Sequence, residues 1–512
     1  MGPWLTQLNR MSKNLGIKRK LPATFYNTTS MIGMTIAIVA LTMIVFLFVL
    51  TAFSGTSNPY MGLITFIGLP GILLFGLVIA AVGLRRAVLR ARRGEEEGRL
   101  PVIDFNDFRH RYAFTSILIG GFGLMAMSGF GTYQAYEYTE SVEFCGKVCH
   151  NVMKPEYMAY QNSPHAKVPC VQCHIGSGAG WWVRSKISGS YQVYSVLFQK
   201  YHRPIETPIH NLRPSKDTCE TCHWPKKFYA QKLMDRKYFL SDEKNTPYQI
   251  SMLLKIGGSE QGKSAGIHAH MYLDNQVSYI SIDRQRQIIP YVKMTDSNNN
   301  ATEYRSTEIK VTDQDLRNGE TRLVDCIDCH NRPSHQYQHP EFSVNQAMSM
   351  GLIDATLPEI KMKAVQELEK PYKTEDEAVA TIRADLEKFY KESHPQEAAS
   401  KAAQIQAAIQ HVQQIYKTTY FPEMNVSWKE FPNNLDHLHS AGCFRCHDDK
   451  HVSPDGRVIS KNCQTCHTML SIQTEDGKRM TDLNGLEFKH PMGMEDWKTT
   501  PCKDCHGKQK DQ

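Results

Sequence analysis

The stretch that decides the reading is Cys145-Gly146-Lys147-Val148-Cys149-His150, followed by Met153, His165 and Cys170-Val171-Gln172-Cys173-His174. Two cysteines with a histidine directly after the second are what covalent attachment of a c-type haem requires. Each thiol adds across a vinyl group of the porphyrin, and the histidine binds the iron. The pattern recurs at Cys219, Cys222 and His223, at Cys326, Cys329 and His330, and at Cys443, Cys446 and His447. It returns at Cys463, Cys466 and His467 and at Cys502, Cys505 and His506, so that all 14 cysteines fall into pairs. Zinc ribbons or a disulfide framework would also pair cysteines, but neither places a histidine after every second one. With 21 histidines in 512 residues, chance supplies one at about one position in twenty-four. Seven covalently bound haem c groups are expected. The first pair has three residues between its cysteines where the others have two, and a strained or single thioether attachment is the alternative there.

Upstream of Cys145 the chain is built for a bilayer. Residues 1–30 carry Arg10, Lys13, Lys18, Arg19 and Lys20 and no acid. Three uncharged, mostly apolar runs follow, at 31–53, 61–84 and 113–133, each long enough to span a membrane as a helix. Pro70 is expected to kink the second, and Gly120, Gly121, Gly123, Gly129 and Gly131 to allow close packing of the third. Between the second and third runs lie Arg85, Arg86, Arg90, Arg92, Arg93, Arg99, Arg109 and Arg111. Cationic flanks stay on the cytoplasmic side. The N-terminus and the Arg-rich loop are therefore cytoplasmic, and the third span delivers the chain to the periplasm just before Cys145. Haem is attached on that outer face of the bacterial inner membrane, so charge and cofactor agree. The formal charge of +7 omits the haem propionates and does not suggest nucleic acid as a partner.

The rest of the chain divides by pattern. Residues 1–140 form a tail and three-helix anchor, 141–223 hold three haem motifs, and 224–325 form a β-rich insertion. Residues 326–340 hold the fourth motif, 341–427 a helical spacer and 428–512 a C-terminal three-haem region. Within the insertion, residues 248–256, 266–273, 277–282 and 288–294 alternate apolar and polar side chains, as antiparallel strands do. Residues 341–420 read as a helical hairpin, with capping boxes at Thr374 to Glu377 and Ser393 to Gln396, Pro395 suiting a first turn, and a solvated face. The expected fold is a membrane-anchored multihaem cytochrome c: three transmembrane helices plus a haem-packed, loop- and helix-rich periplasmic region with a small antiparallel β insertion.

Seven histidines belong to motifs, leaving 14 for the second axial positions. An electron-carrying haem has both axial positions filled, whereas an open one suits substrate chemistry. His165, His335, His451 and His490 are candidates by their spacing from a motif, as is His437 or His439, with His439 favoured. His268 and His270 stand two apart on an expected strand and so share a face, one of them a ligand. Met153 is the soft candidate for the first haem.

These residues resemble the membrane quinol dehydrogenases of the NapC/NirT/NrfH type. The resemblance covers the third span and four motifs, through about His339, interrupted by the β insertion. It implies a first haem, ligated by methionine, that meets the quinol at the membrane surface. Met153 stands in that methionine's place, with one extra residue between the cysteines and another before it. His165 and His335 match the family's outside ligands, and Lys186, twelve residues after His174, matches the lysine of its quinol pocket. The acid expected seven residues later is absent, since position 193 is Val. Three spans and three added haems are also similar to the seven-haem inner-membrane cytochromes of metal-respiring bacteria, which implies menaquinol as substrate and periplasmic c-type cytochromes as acceptors. Two other readings remain: a terminal reductase of a small molecule such as nitrite, and a passive relay or anchor subunit. The intact mass of the mature chain should equal the polypeptide plus seven haems, whereas six would single out Cys145 and Cys149.

Overall fold

The computed structural model describes residues 27–54, 68–94 and 104–507, apart from 177, 210–211, 225–227, 229–230, 258, 261–262, 265, 272–274, 297, 474–476 and 492. They fall into two compact units, residues 1–136 with 177–187, and 137–176 with 188–512.

The first unit contains three helices long and apolar enough to cross a membrane: Thr28–Ser54, Leu69–Arg92 and Phe108–Thr139. Pro70 lies at the start of the second, and most of the run expected before it lies outside the described residues. The close packing expected of the third helix occurs instead between the first two. A Cβ on Gly76 would stand 2.8 Å from the Ala37 nitrogen and the Gly33 carbonyl, and one on Gly83 would stand 2.6 Å from the Ser30 hydroxyl. That hydroxyl donates to the Ala80 carbonyl at 3.0 Å. Small residues bring the two backbones together, as in membrane helix pairs generally. Around Gly120, Gly121, Gly123, Gly129 and Gly131 an added Cβ would meet nothing within 4 Å.

The second unit is organised by a helical core. In the helix Glu375–Ser393, the buried residues Ala378, Ile382, Leu386 and Tyr390 recur every fourth position and form one face. The helix Ala402–Thr419 sets Ile405, Ile409, Val412 and Tyr416 against that face, and Val344, Ile353, Leu357, Ile360, Ala364 and Leu368 complete the cluster. The segment expected as a solvated spacer is thus the main buried core. Thr374 caps the longer helix, accepting from the Glu377 amide at 3.2 Å, while the Glu377 carboxylate takes the Lys373 amide at 2.8 Å. Ser393 ends that helix rather than capping the next, a role that falls to His394, with Pro395 in the first turn. Val152 and Ala159 join the same core, which fixes the helix His150–Gln161 that follows the first haem motif.

Two larger antiparallel sheets and a two-stranded one, Ser259–Glu260 with Lys263–Ser264, hold much of the rest. In one of the larger two, the strands lie in the order Lys232–Phe239, Pro247–Leu254, His467–Gln473 and Arg479–Thr481. In the other the order is Glu320–Leu323, Gln276–Ser281, Tyr291–Thr295, Ala301–Ser306 and His451–Val452. The insertion therefore does not close on itself, because the C-terminal region supplies strands to both larger sheets. His467, the sixth motif's histidine, opens one of them, paired with Leu254. The strand expected at 266–273 is a 3-10 turn, Ile267–Met271, with 272–273 outside the described residues. Alternation alone did not distinguish the two.

Leu386 is only 1 % exposed, so Leu386→Ala should cost about 2–5 kcal/mol. Thermal unfolding should show a lowered midpoint, where a solvated spacer would tolerate the change.

Candidate haem-binding sites

Six of the seven motifs are one turn of helix or 3-10 helix. The amides of His223, His330 and His447 donate to the carbonyls of Cys219, Cys326 and Cys443 at 2.8, 2.7 and 3.0 Å. Residues three apart share a face on such a turn, so both sulfurs turn toward one porphyrin edge. The first motif, with its extra residue, winds as a wider π turn over Phe144–Val148. An inserted residue commonly produces such a turn, often at functional sites. Gly146 lies under the Tyr157 ring, where an added Cβ would come within 2.8 Å of Cγ. None of the 14 cysteines is in a disulfide.

The histidines come together in pairs. A ring nitrogen sits about 2 Å from a metal it binds and the ring centre about another ångström behind, so two axial histidines of one iron have centres about 6 Å apart. His174 and His335 are 6.2 Å apart by ring centres, His165 and His223 6.0 Å, and His268 and His330 6.4 Å. His270 and His447 are 5.8 Å apart, His437 and His467 6.3 Å, and His490 and His506 6.1 Å. Every pair joins one motif histidine to one outside the motifs. His268 and His270 each have a partner, because a 3-10 turn aims residues two apart in different directions.

The surroundings of the outer histidines suit ligation. Nδ1 of His335 donates to the Glu156 carbonyl at 3.0 Å, that of His268 to Ile256 at 3.0 Å, and that of His270 to Ile267 at 2.7 Å. His165 donates to Pro333 at 3.3 Å and the motif histidine His447 to Ser460 at 2.9 Å. A carbonyl can only accept, so the proton is on Nδ1 and Nε2 keeps its lone pair for a metal. Burial, aided by the Arg332 charge, pushes His335 down to about 4, and burial also lowers His174, so both imidazoles stay neutral.

Two expected ligands lie elsewhere. His451 is fully buried with both nitrogens engaged, Nδ1 to the Asp448 carboxylate at 2.9 Å and Nε2 to the Ile289 carbonyl at 2.8 Å. No nitrogen remains for iron. His439 stacks on His339 with ring centres 3.7 Å apart and lies between Asp436 and Glu341, at 3.5 and 3.7 Å. Burial opposes its protonation, but the two carboxylates outweigh burial and raise its pKa. His339 is pushed down to about 3, first by burial, and its Nδ1 accepts the Glu341 amide at 3.2 Å. The cluster His339, Glu341 and His439 thus forms an ion-pair network apart from the six imidazole pairs, and its three donor groups lie close enough together to hold a metal ion. His437, two residues from His439, faces His467 instead. No spacing rule separates the two; the stacking of His437 on Phe444, 4.6 Å away, is a tertiary fact.

Met153 is half-buried on the helix His150–Gln161, its amide bonded to the Cys149 carbonyl at 2.9 Å. The His150 side chain lies outside the described residues. Lys186 is half-buried on the helix Ala179–Leu197, in the first unit.

The residues present fit the cofactor. Besides the spacing of the pairs, Nδ1 of His437, Nδ1 of His467 and Nε of Arg213 are buried without a hydrogen-bond partner. Arg213 packs against Gly176, two residues past His174, and a buried guanidinium suits a propionate carboxylate. Residues 108–213 match the NapC/NirT cytochrome c family, N-terminal region. The chain is also 42 % identical over 496 residues to the cytochrome c-type protein ImcH of Geobacter sulfurreducens, covering 95 % of this chain and 96 % of that protein. It belongs to the ImcH-like, NapC/NirT-type cytochromes c. No solved structure matches it. Membership in this cytochrome family brings covalently bound haem c, a place in electron transfer and a membrane setting that the three apolar helices share.

The histidine geometry separates two variants. His437→Ala should convert one low-spin haem to high-spin in the optical spectrum, and His451→Ala should leave the low-spin spectrum unchanged.

Proposed function

We propose that this chain is an inner-membrane menaquinol dehydrogenase that takes electrons from menaquinol in the bilayer and passes them to c-type cytochromes of the periplasm. The observation that supports it best is the set of six imidazole pairs, 5.8–6.4 Å between ring centres. On this reading His174 pairs with His335, His223 with His165, His330 with His268, His447 with His270, His467 with His437, and His506 with His490, each about one iron. Bound haem supplies one-electron storage. With both axial positions filled, six of the seven sites offer a small molecule no place to bind. That disfavours a terminal reductase of nitrite or a similar substrate. The seventh site is the first motif, for which Met153 is the proposed partner of His150.

The family match over residues 108–213 favours quinol as the donor, because it takes in the third apolar helix, Met153 and Lys186. Oxidising a quinol releases two electrons and two protons, so a polar group must stand beside the ring. Lys186 is proposed for that role. It follows Trp181 and Arg184, whose guanidinium lies 5.2 Å over the Trp181 ring, an arrangement suited to a membrane interface. A passive relay or anchor subunit has no use for a quinol-directed lysine. The arginines at the end of the helix Leu69–Arg92 and at the start of the helix Phe108–Thr139, with the basic N-terminal tail, support a cytoplasmic N-terminus and a periplasmic haem region.

Lys186→Ala should keep its haem content and its reduction by dithionite while slowing reduction by a menaquinol analogue at least tenfold, about 1.4 kcal/mol in barrier. Stopped-flow spectra read both. Equal quinol-driven rates would make Lys186 a lipid anchor only.

A further inference from the structure

The motifs neighbour one another in space in the order of the sequence. The Cys145 thiol neighbours that of Cys170, the Cys219 thiol that of Cys326, and Cys173 lies within electrostatic reach of Cys222. Cys329 lies within the same reach of Cys443, Cys443 of Cys466, and Cys463 of Cys502. In the haem-bearing protein these sulfurs are thioethers, so they serve here only as markers of position. They describe one line of sites from the first motif to the seventh, in which the step from the fourth to the fifth links regions far apart in the chain.

We infer that the turn Ile267–Met271 is the junction of that line, with His268 and His270 as neighbouring ligands that hold the fourth and fifth haems on one rigid piece of backbone. The inference rests on the ligand pairs above, and on the quinol reading only for the direction of flow. A 3-10 turn has three residues per turn, so positions two apart face about a third of a turn apart and reach different irons. Both rings are fixed through Nδ1 to carbonyls of the same neighbourhood, Ile256 and Ile267. The turn is tied to the end of the strand Pro247–Leu254, the Ile267 amide donating to the Lys255 carbonyl at 2.9 Å and the His268 amide to Ile256 at 3.2 Å. Gly266 enters it at φ +81°, where a Cβ would be 2.8 Å from the Gly257 nitrogen, so a side chain is excluded there.

The two motifs are also fastened to each other. Arg445, inside the fifth, donates to the carbonyl of Asp328, inside the fourth, at 2.8 Å, and Asn434 donates to that carbonyl at 3.0 Å. The buried Asp328 carboxylate takes the Tyr279 hydroxyl at 2.6 Å and the Arg322 guanidinium at 2.9 Å. The two motifs are thus fixed to each other and to the five-stranded sheet, while the turn is fixed to the strand Pro247–Leu254 of the other sheet. With haem bound, the fourth site would donate one electron to the fifth, menaquinol being the source of electrons for the line as a whole.

The test uses the full-length, haem-loaded protein with His268→Met and His270→Met, which keep two axial ligands but raise the potential of the altered site. The rings are nearly parallel in the first pair, at 7°, and crossed in the second, at 86°. Ferric electron paramagnetic resonance distinguishes these, since parallel imidazoles give a rhombic low-spin signal and crossed ones a strongly anisotropic signal. His268→Met should remove a rhombic component and His270→Met a strongly anisotropic one. On mixing with a menaquinol analogue, the sites beyond the altered one should lag at least tenfold, equal to about 59 mV of added uphill step. Three should lag in the first variant and two in the second. Should either Met variant load haem poorly, His268→Gly and His270→Gly with added imidazole replace it. Imidazole restores the lost low-spin signal if the ring was a ligand and restores nothing if its role was only structural. Unchanged resonance spectra, or no rescue, overturn the ligand roles, and simultaneous reduction of all sites in both variants overturns the junction. A wild-type protein that menaquinol does not reduce would refute the quinol reading alone, leaving the resonance arm to decide the ligands.

Discussion

An iron held between two imidazoles needs them on opposite sides of a gap about 6 Å wide, measured between ring centres. Six imidazole pairs of this structure have that spacing, 5.8–6.4 Å between ring centres. A haem motif supplies one imidazole from its own turn, but the second must come from a segment with its own reason to stand opposite. His335 follows the fourth motif yet faces the second motif's His174, and His165 precedes the second motif yet faces the third's His223. These pairings bring together stretches far apart in the chain, such as His174 with His335 and His447 with His270.

The protein core holds those pairings. Helices 375–393 and 402–419 bury one another along a face of four-residue spacing, and the helix carrying Met153 is pinned to the same core by Val152 and Ala159. Glu156 on that helix offers its carbonyl to His335 and its carboxylate to Tyr337, at 3.0 and 3.2 Å. Its burial raises the carboxyl's proton affinity against the pull of Arg332, 3.7 Å away. One residue in the middle of that helix therefore serves both the His335 ring and a buried ion pair. The sheets act in the same way further along, since the strand that begins at His467 is paired with the insertion.

What the sequence shows and what it hides follow from this division. The motifs and the three apolar runs are local patterns; the helices at 28–54 and 108–139 contain the runs expected there, while the second, expected at 61–84, is described at 69–92 and extends into the arginines that follow. The outer ligands are tertiary. His268 and His270 sit in a stretch whose alternation imitates a strand, and only the 3-10 turn reveals that both have partners. His437 and His439 are indistinguishable by spacing until Asp436 and Glu341 claim the second. His451 has the position of a ligand, but the Ile289 carbonyl takes its remaining nitrogen. Glycine content misled for a similar reason: the third helix is rich in glycine, yet the close approach is made by Gly33, Gly76 and Gly83. Which surfaces meet is not written in composition.

The ring angles show how far the scaffold reaches into each site. Across the six pairs the two planes range from 7° to 86°. An imidazole is free to spin about its bond to iron, so its angle is set by whatever holds its other nitrogen. His270 is held by a carbonyl within its own turn, at 2.7 Å, and so cannot follow its partner. His268 is held by the carbonyl of Ile256, on a neighbouring stretch, and lies parallel to His330. Where Nδ1 has no partner, as in His437, the flat ring of Phe444 at 23° takes over the role of the hydrogen bond. The polypeptide therefore sets the ring planes through a second contact, and the two histidines of one turn lie at opposite extremes, 7° and 86° from their partners.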